Sequence, residues 1–151
     1  MKKIIMTILC LLLLLLTGCT TYEDTNGDDP ALQTITDQNI ILKDIGASGL
    51  GYTTMDLGFL HSEEYSSKNF NGVEELFLTN YIWASDVTVY VGHLNLKSGN
   101  FKLVLVLDDE ILFEIPLDAF AETYTFNNIK GTFAIRAAGE SANVEFYVEV
   151  R

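Results

Sequence analysis

Two thiols, two imidazoles and several adjacent carboxylate pairs are the side chains in this chain with the most chemistry in them. His61 and His93 stand far apart, and neither has the close spacing of a metal-binding pair. They read as a loop histidine and a bulge histidine. Glu63-Glu64, Glu74-Glu75 and Asp108-Asp109 could suggest acid–base work on a glycoside, which needs two carboxyls ~5–10 Å apart across a cleft. Neighbours on a strand point to opposite faces, so these pairs do not supply that geometry by themselves. They read as solvated rims and turns. Ser48 lies in Gly46-Ala47-Ser48-Gly49-Leu50-Gly51, with no Lys-Ser/Thr after it, and no G-x-S-x-G elbow occurs in the chain. We therefore assign no catalytic residue, no metal ligand and no cofactor from the sequence.

Aromatic side chains are the better candidates for binding. Tyr81, Trp83 and Tyr90 lie close in sequence and form a candidate ligand platform, able to stack on a sugar ring or pack a partner protein. Trp83 is the only tryptophan, and a core role competes with a surface one. Arg136 is the one arginine placed inside the strands, where it could hold a carboxylate ligand. A cross-strand pair with Glu145 or Glu149 is the simpler expectation.

Cys19 carries a different chemistry. Met1-Lys2-Lys3 is a short basic start, and Ile4 to Leu16 is an apolar run broken only by Thr7. As a helix that run spans ~20 Å, short of the ~30 Å hydrocarbon core of a bilayer. It has the length of a secretory signal segment instead. Leu16-Thr17-Gly18-Cys19 follows, an aliphatic residue and two small ones before a cysteine. This resembles the bacterial lipobox. The resemblance implies a diacylglycerol group on the Cys19 thiol and cleavage just before it, with Leu16, Thr17 and Gly18 as the signal-peptidase motif. Two acyl chains hold persistently where one, at ~0.8 kcal/mol per buried methylene, is marginal. The implied location is the cell membrane, facing away from the cytoplasm. Thr20 lacks the aspartate associated with inner-membrane retention in that family, so in a cell with two membranes the outer one is implied.

Loss of the signal segment removes two of the nine basic residues and none of the 21 acidic ones, so a net charge of −12 becomes −14. A field of that sign repels nucleic acid and anionic head groups. Cys10 leaves with the signal segment, so the folded part has no disulfide and no thiolate metal site. Thr20 to about Gln33 is polar and acidic, with Gly27 and Pro30, and reads as a flexible tether. Asp24-Thr25-Asn26-Gly27-Asp28-Asp29 spaces oxygens as calcium loops do, but no closing glutamate follows. A solvated spacer is the simpler reading.

The rest of the chain reads as short strands between turns. Ile35 to Ile45 is a first strand or a helical turn; the period does not decide. Tyr52 to Leu60 is a strand, and polar His61 to Asn71 a connection. Val87, Val89 and Val91 share one face, with a bulge at Gly92-His93 where the alternation shifts. Ser98-Gly99-Asn100 is a turn. Phe101 to Leu107 is apolar on both faces, as in a central strand. Leu107 to Glu110 is a tight hairpin, Pro116 ends the next strand, and Asp118 to Glu122 makes one helical turn. Asn127-Asn128 begins a turn, with Lys130-Gly131 after Ile129, and Gly139-Glu140-Ser141 turns the chain once more. Val144, Phe146, Val148 and Val150 alternate with Glu145, Tyr147 and Glu149.

Strands at 8–12-residue spacing and no long helical period predict an all-β fold, an antiparallel β-sandwich of immunoglobulin-like or jelly-roll type. The domain reading is a signal peptide over 1–18, a lipidated cysteine and acidic tether over 19–33, and the sandwich over 34–151. Phe70 to Arg151, with Gly131-Thr132-Phe133-Ala134-Ile135-Arg136, then Gly139-Glu140-Ser141-Ala142 and a last alternating strand, is similar to the C-terminal domains of small bacterial lipoproteins. That resemblance implies no catalytic residues. The function expected is a membrane-anchored, non-catalytic binding module with a protein or glycan partner of the envelope. An accessory subunit of an envelope complex is the alternative, and a carbohydrate-active hydrolase a weaker third.

Overall fold

The structure is a computed structural model and describes residues 32–56 and 61–151. The described residues form one short helix, α1 (Asp37–Leu42), and four strands. These are β1 (Gly51–Asp56), β2 (His61–Leu107), β3 (Glu110–Ile115) and β4 (Phe120–Val150). Among the described residues no helix is long and apolar enough to cross a membrane.

β2 and β4 run to 47 and 31 residues, far beyond a typical strand of 5–6. Each is bent, and their pairing divides them into pieces. In one layer the order is β1, β2 residues 61–67, β4 residues 144–150, β2 residues 89–96 and β4 residues 120–126. In the other it is β2 residues 72–81, β4 residues 131–139, β2 residues 100–107 and β3. Every pairing is antiparallel. The fold is thus an antiparallel β-sandwich in which long strands pass from layer to layer. Phe113 of β3 meets Tyr124 and Phe126 of β4 across the gap, at centroid distances of 5.0 and 5.9 Å.

The strands turn their corners in step. Register breaks at 67–72, at 96–100 and between Asn143 and Glu140 fall side by side. Gly72 has φ of +96° and Gly99 +79°, values that side chains with a Cβ rarely take. Ser98-Gly99-Asn100 and Gly139-Glu140-Ser141 are therefore bends in continuing strands, not the chain-reversing turns their residue types suggest. The same correction holds for the turn expected from Asn127-Asn128, where β4 continues through register shifts to Gly131.

Alternation explains the core. Val87, Val89 and Val91 are fully buried, as are Leu103, Leu105, Phe133, Ile135, Val144 and Phe146. Phe146 stacks on Tyr65 at 4.6 Å. The bulge forms as expected, with Val91 opposite Val148 and His93 opposite Tyr147, so Gly92 is the extra residue. The hairpin at 107–110 and the end of β3 before Pro116 also match.

Two further sequence expectations fail, and one open choice is resolved. His61 to Asn71 is not a connection but the start of β2, with Tyr65 and Phe70 in the core. Its polar character misleads because Ser62, Glu63 and Ser67 are buried with them. Phe120 to Glu122 is strand, not a helical turn, because Phe120 pairs with His93. The open choice at 35–45 resolves to helix: Thr36 accepts from Asn39 N–H, and Asn39 Oδ1 accepts from Thr36 N–H at 2.9 Å, a capping box.

A helix of six residues is not stable alone. α1 is held because the outer face of the second layer is apolar. Ile35 and Ile40 pack there on Val73, Val104, Val106, Ala134 and Ala138. This is why Phe101 to Leu107 is apolar on both faces.

Candidate binding face

The three aromatics singled out by sequence do not share one surface. Tyr81 is half-buried, its ring edge-on to Phe133 at 6.3 Å on the core side. Trp83 is 81% exposed, at the bend where β2 leaves one layer for the other. Tyr90 alternates with inward Val89 and Val91, so it stands on the outer face of the first layer.

There Tyr90 meets an aromatic the sequence reading did not choose. Tyr147 lies edge-on to it at 6.2 Å. The two strands are neighbours, since Tyr90 is opposite Glu149 and Val91 opposite Val148. Gly92 makes room: a Cβ at that position would come 2.9 Å from the Tyr147 ring. Tyr147 was legible as an outward residue of the last alternating strand, but not its neighbour, which depends on register.

Polar groups edge the pair. Tyr147 Oη donates to Glu149 Oε2 at 2.9 Å, and Arg151 Nε donates to the other oxygen of the same carboxylate. Burial, then the charged Glu149 it donates to, raise the Tyr147 phenol, against a contact with Ser62 that lowers it. The face thus presents two half-buried phenol rings beside a carboxylate already held on both oxygens.

Other carboxylates are engaged in structural roles. Glu75 takes Arg136, Glu145 takes Lys97 at 2.7 Å, and Glu114 takes Lys102 at 3.1 Å. Asp86 accepts from Asn128 N–H and Asp108 from Thr132 N–H. Glu140 accepts from the backbone N–H of Gln33, Thr34 and Ile35. Of the adjacent pairs, Glu75 and Asp108 are therefore anchors. Arg136 pairs with Glu75, directly opposite it, and not with Glu145 or Glu149. The reason is facing: Arg136 is on the outer side of the second layer, while those two belong to the first.

His93 sits at the bulge, opposite Tyr147. Among the described residues no group of three or more His, Cys, Asp or Glu is placed to hold a metal ion. Leu16, Thr17, Gly18, Cys19 and the Asp24–Asp29 stretch lie outside the described residues.

No protein-family model and no curated protein matches the chain. Solved structures similar to it include these two. One is the CBM36-1 domain of a multidomain xylanase from the hindgut metagenome of Trinervitermes trinervoides, at 13% identity and a TM-score of 0.34, covering 72% of this chain and 91% of that one. The other is a candidate mannose-6-phosphate isomerase from Ralstonia eutropha JMP134, at 9% identity and a TM-score of 0.33, covering 73% and 92%. Both likenesses are shallow, and neither lends this chain an activity.

Proposed function

We propose that this protein is a lipid-anchored, extracytoplasmic lipoprotein whose β-sandwich is a non-catalytic binding module. The observation that carries the binding reading is the Tyr90–Tyr147 pair on the outer sheet face. Two rings fixed on neighbouring strands offer flat apolar area at little entropic cost, with hydroxyls at the rim. The acids described beside it serve as anchors, with both oxygens of Glu149 occupied, which favours binding over acid–base chemistry.

The anchor reading rests on Leu16-Thr17-Gly18-Cys19 and on spacing. Twelve residues lie between Cys19 and Leu32, enough for a reach of at most ~45 Å when extended. That suits an acidic domain kept off a membrane surface.

Fractionation of cells making Cys19→Ser tests the anchor: the variant leaves the membrane pellet while the parent stays in it. A glycan array probed with the parent protein and with Tyr90→Ala and Tyr147→Ala tests the face. Signal on envelope glycans that both variants lose supports the module. Signal kept by both variants places binding elsewhere. An accessory-subunit role is favoured instead if the array is blank and crosslinking in cells captures a salt-sensitive protein partner through this face.

A further inference from the structure

β2 breaks its ladder at the corner where it leaves the second layer. Tyr81 lies opposite Gly131, and the next pair is Ser85 opposite Ile129. Three residues, Ile82-Trp83-Ala84, thus stand against one, Lys130, and are thrown outward as a bulged tip. Ser85 Oγ donates to the Trp83 carbonyl at 3.2 Å and closes the tip. Ile82, Trp83 and Ala84 are all exposed, Ile82 by 71% and Trp83 by 81%. No residue from Leu76 to Ser85 is charged. Asp86 and Lys130, of opposite sign, flank the tip, and Asp86 already accepts from Asn128 N–H at 3.1 Å.

We infer that this tip dips into the head-group layer of the bilayer that carries the Cys19 anchor, with Trp83 and Ile82 as the inserted side chains. The inference rests on the lipid-anchor reading. An indole is apolar in body and polar at its N–H, which suits the boundary between wet head groups and acyl chains. Area decides against a protein partner. Two side chains and a methyl group offer roughly a few hundred Å², well short of the ~800 Å² that each partner gives to a stable protein interface. Such a patch holds weakly from free solution. On a tether it meets the surface at high effective concentration, so weak insertion is enough.

Tether length permits the contact. The chain enters the sandwich beside Glu140, which accepts from Gln33, Thr34 and Ile35 N–H. The tip lies at the other end of the β4 stretch 131–139, ~26 Å away at ~3.3 Å per residue. The segment from Cys19 to Leu32 reaches up to ~45 Å, so Cys19 and Trp83 can meet one membrane plane. Charge selects the part that approaches. The acidic body is repelled by anionic lipids, whereas the tip carries no charge and its two flanking charges cancel. The surface it fits is zwitterionic.

Trp83 is the only tryptophan, so its fluorescence reports this site alone. The full-length protein, purified from the membranes of producing cells, is reconstituted into phosphatidylcholine–phosphatidylethanolamine vesicles and floated with them. Its Trp83 emission should move to shorter wavelength than that of Cys19→Ser protein in buffer. Lipids brominated along the acyl chain should quench it by roughly half or more, as befits a depth of ~5–10 Å. Ile82→Glu should float as the parent does but lose most of that quenching. Because Ile82 is exposed, the variant should keep the parent's thermal midpoint, which is measured alongside. A floated parent whose Trp83 stays as open to acrylamide as the Cys19→Ser reference overturns the inference. So does a shift without bromine quenching, which means that a protein or a second copy covers the tip, and so does quenching that survives Ile82→Glu. All three leave the anchor standing, whereas a parent that does not float overturns the anchor and the inserted tip together. The glycan array bears on the Tyr90–Tyr147 face alone.

Discussion

Arg136 and Glu75 face each other across β4 and β2, and together they fasten α1 to the sandwich. Arg136 Nη2 and Nε donate to Glu75 Oε2 at 2.9 and 3.2 Å. Its Nη1 donates to the Ile40 carbonyl at 2.9 Å and also to that of Ile41. Those carbonyls belong to the last turn of the helix, which has no intrahelical partner for them. The guanidinium is therefore both an ion-pair partner and a C-terminal cap.

Arg136→Ala should cost roughly 3 kcal/mol, because it leaves Glu75 half-buried without its main counter-charge and frees two carbonyls. Arg136→Lys should recover only part of that, since an ammonium lacks the planar fork that reaches the carboxylate and both carbonyls. Urea unfolding of the three proteins checks the order. A Lys variant as stable as the parent would show that charge alone suffices.

Glu140 anchors the chain just before α1. Its carboxylate accepts from Gln33, Thr34 and Ile35 N–H groups, from Thr34 Oγ1 and from Asn100 Nδ2. Burial pushes the group up, but the Thr34 hydroxyl and the three backbone donors outweigh it and hold it at about 2, against an ordinary 4.5. The unfolded chain thus takes the proton first. What Glu140 contributes is complete above about pH 5 and is lost as pH falls toward 2. Parent and Glu140→Gln should differ in urea midpoint at pH 7, and the gap should close steadily over that window. A gap that stays constant down to pH 2 would refute the assignment.

Gly72 is where β2 bends beside Gly46. Its φ is +96°, and a Cβ would lie 2.1 Å from the Gly46 carbonyl oxygen. Gly72→Ala should therefore cost more than about 1 kcal/mol, through strain and lost backbone contact. Gly46→Ala meets nothing within 4 Å and should change stability by less than about 0.5 kcal/mol. Paired denaturation curves check the contrast; equal effects would mean the corner yields easily.

Local patterns were legible where one residue's neighbours in sequence decide its state. The Gly92 bulge shows as a slipped alternation, the 107–110 hairpin as a turn pair between apolar runs. The apolar outer face of 101–107 signals a covered sheet before its cover is known. Where the deciding neighbour is distant, the reading failed. His61–Asn71 looks like a loop because serines and glutamates can be buried once β1 and β4 pair on both sides. Ser98–Asn100 and Gly139–Ser141 carry turn residues, yet both strands continue, because they bend together and keep their ladder. Tyr90 found Tyr147, and Arg136 found Glu75, through register, which no short window contains.

The sequence by itself determined that this is an all-β chain, which side chains of the cleanly alternating strands point inward, and the net negative charge, because alternation and composition are properties of the chain alone. Tertiary structure decided which strands pair, that two of them serve both layers, and that a six-residue segment becomes helix once a sheet face receives it. It also decided which aromatics meet. The physical reason is that hydrogen-bond ladders and packed faces join residues tens of positions apart, and only closure of the sandwich makes those contacts exist.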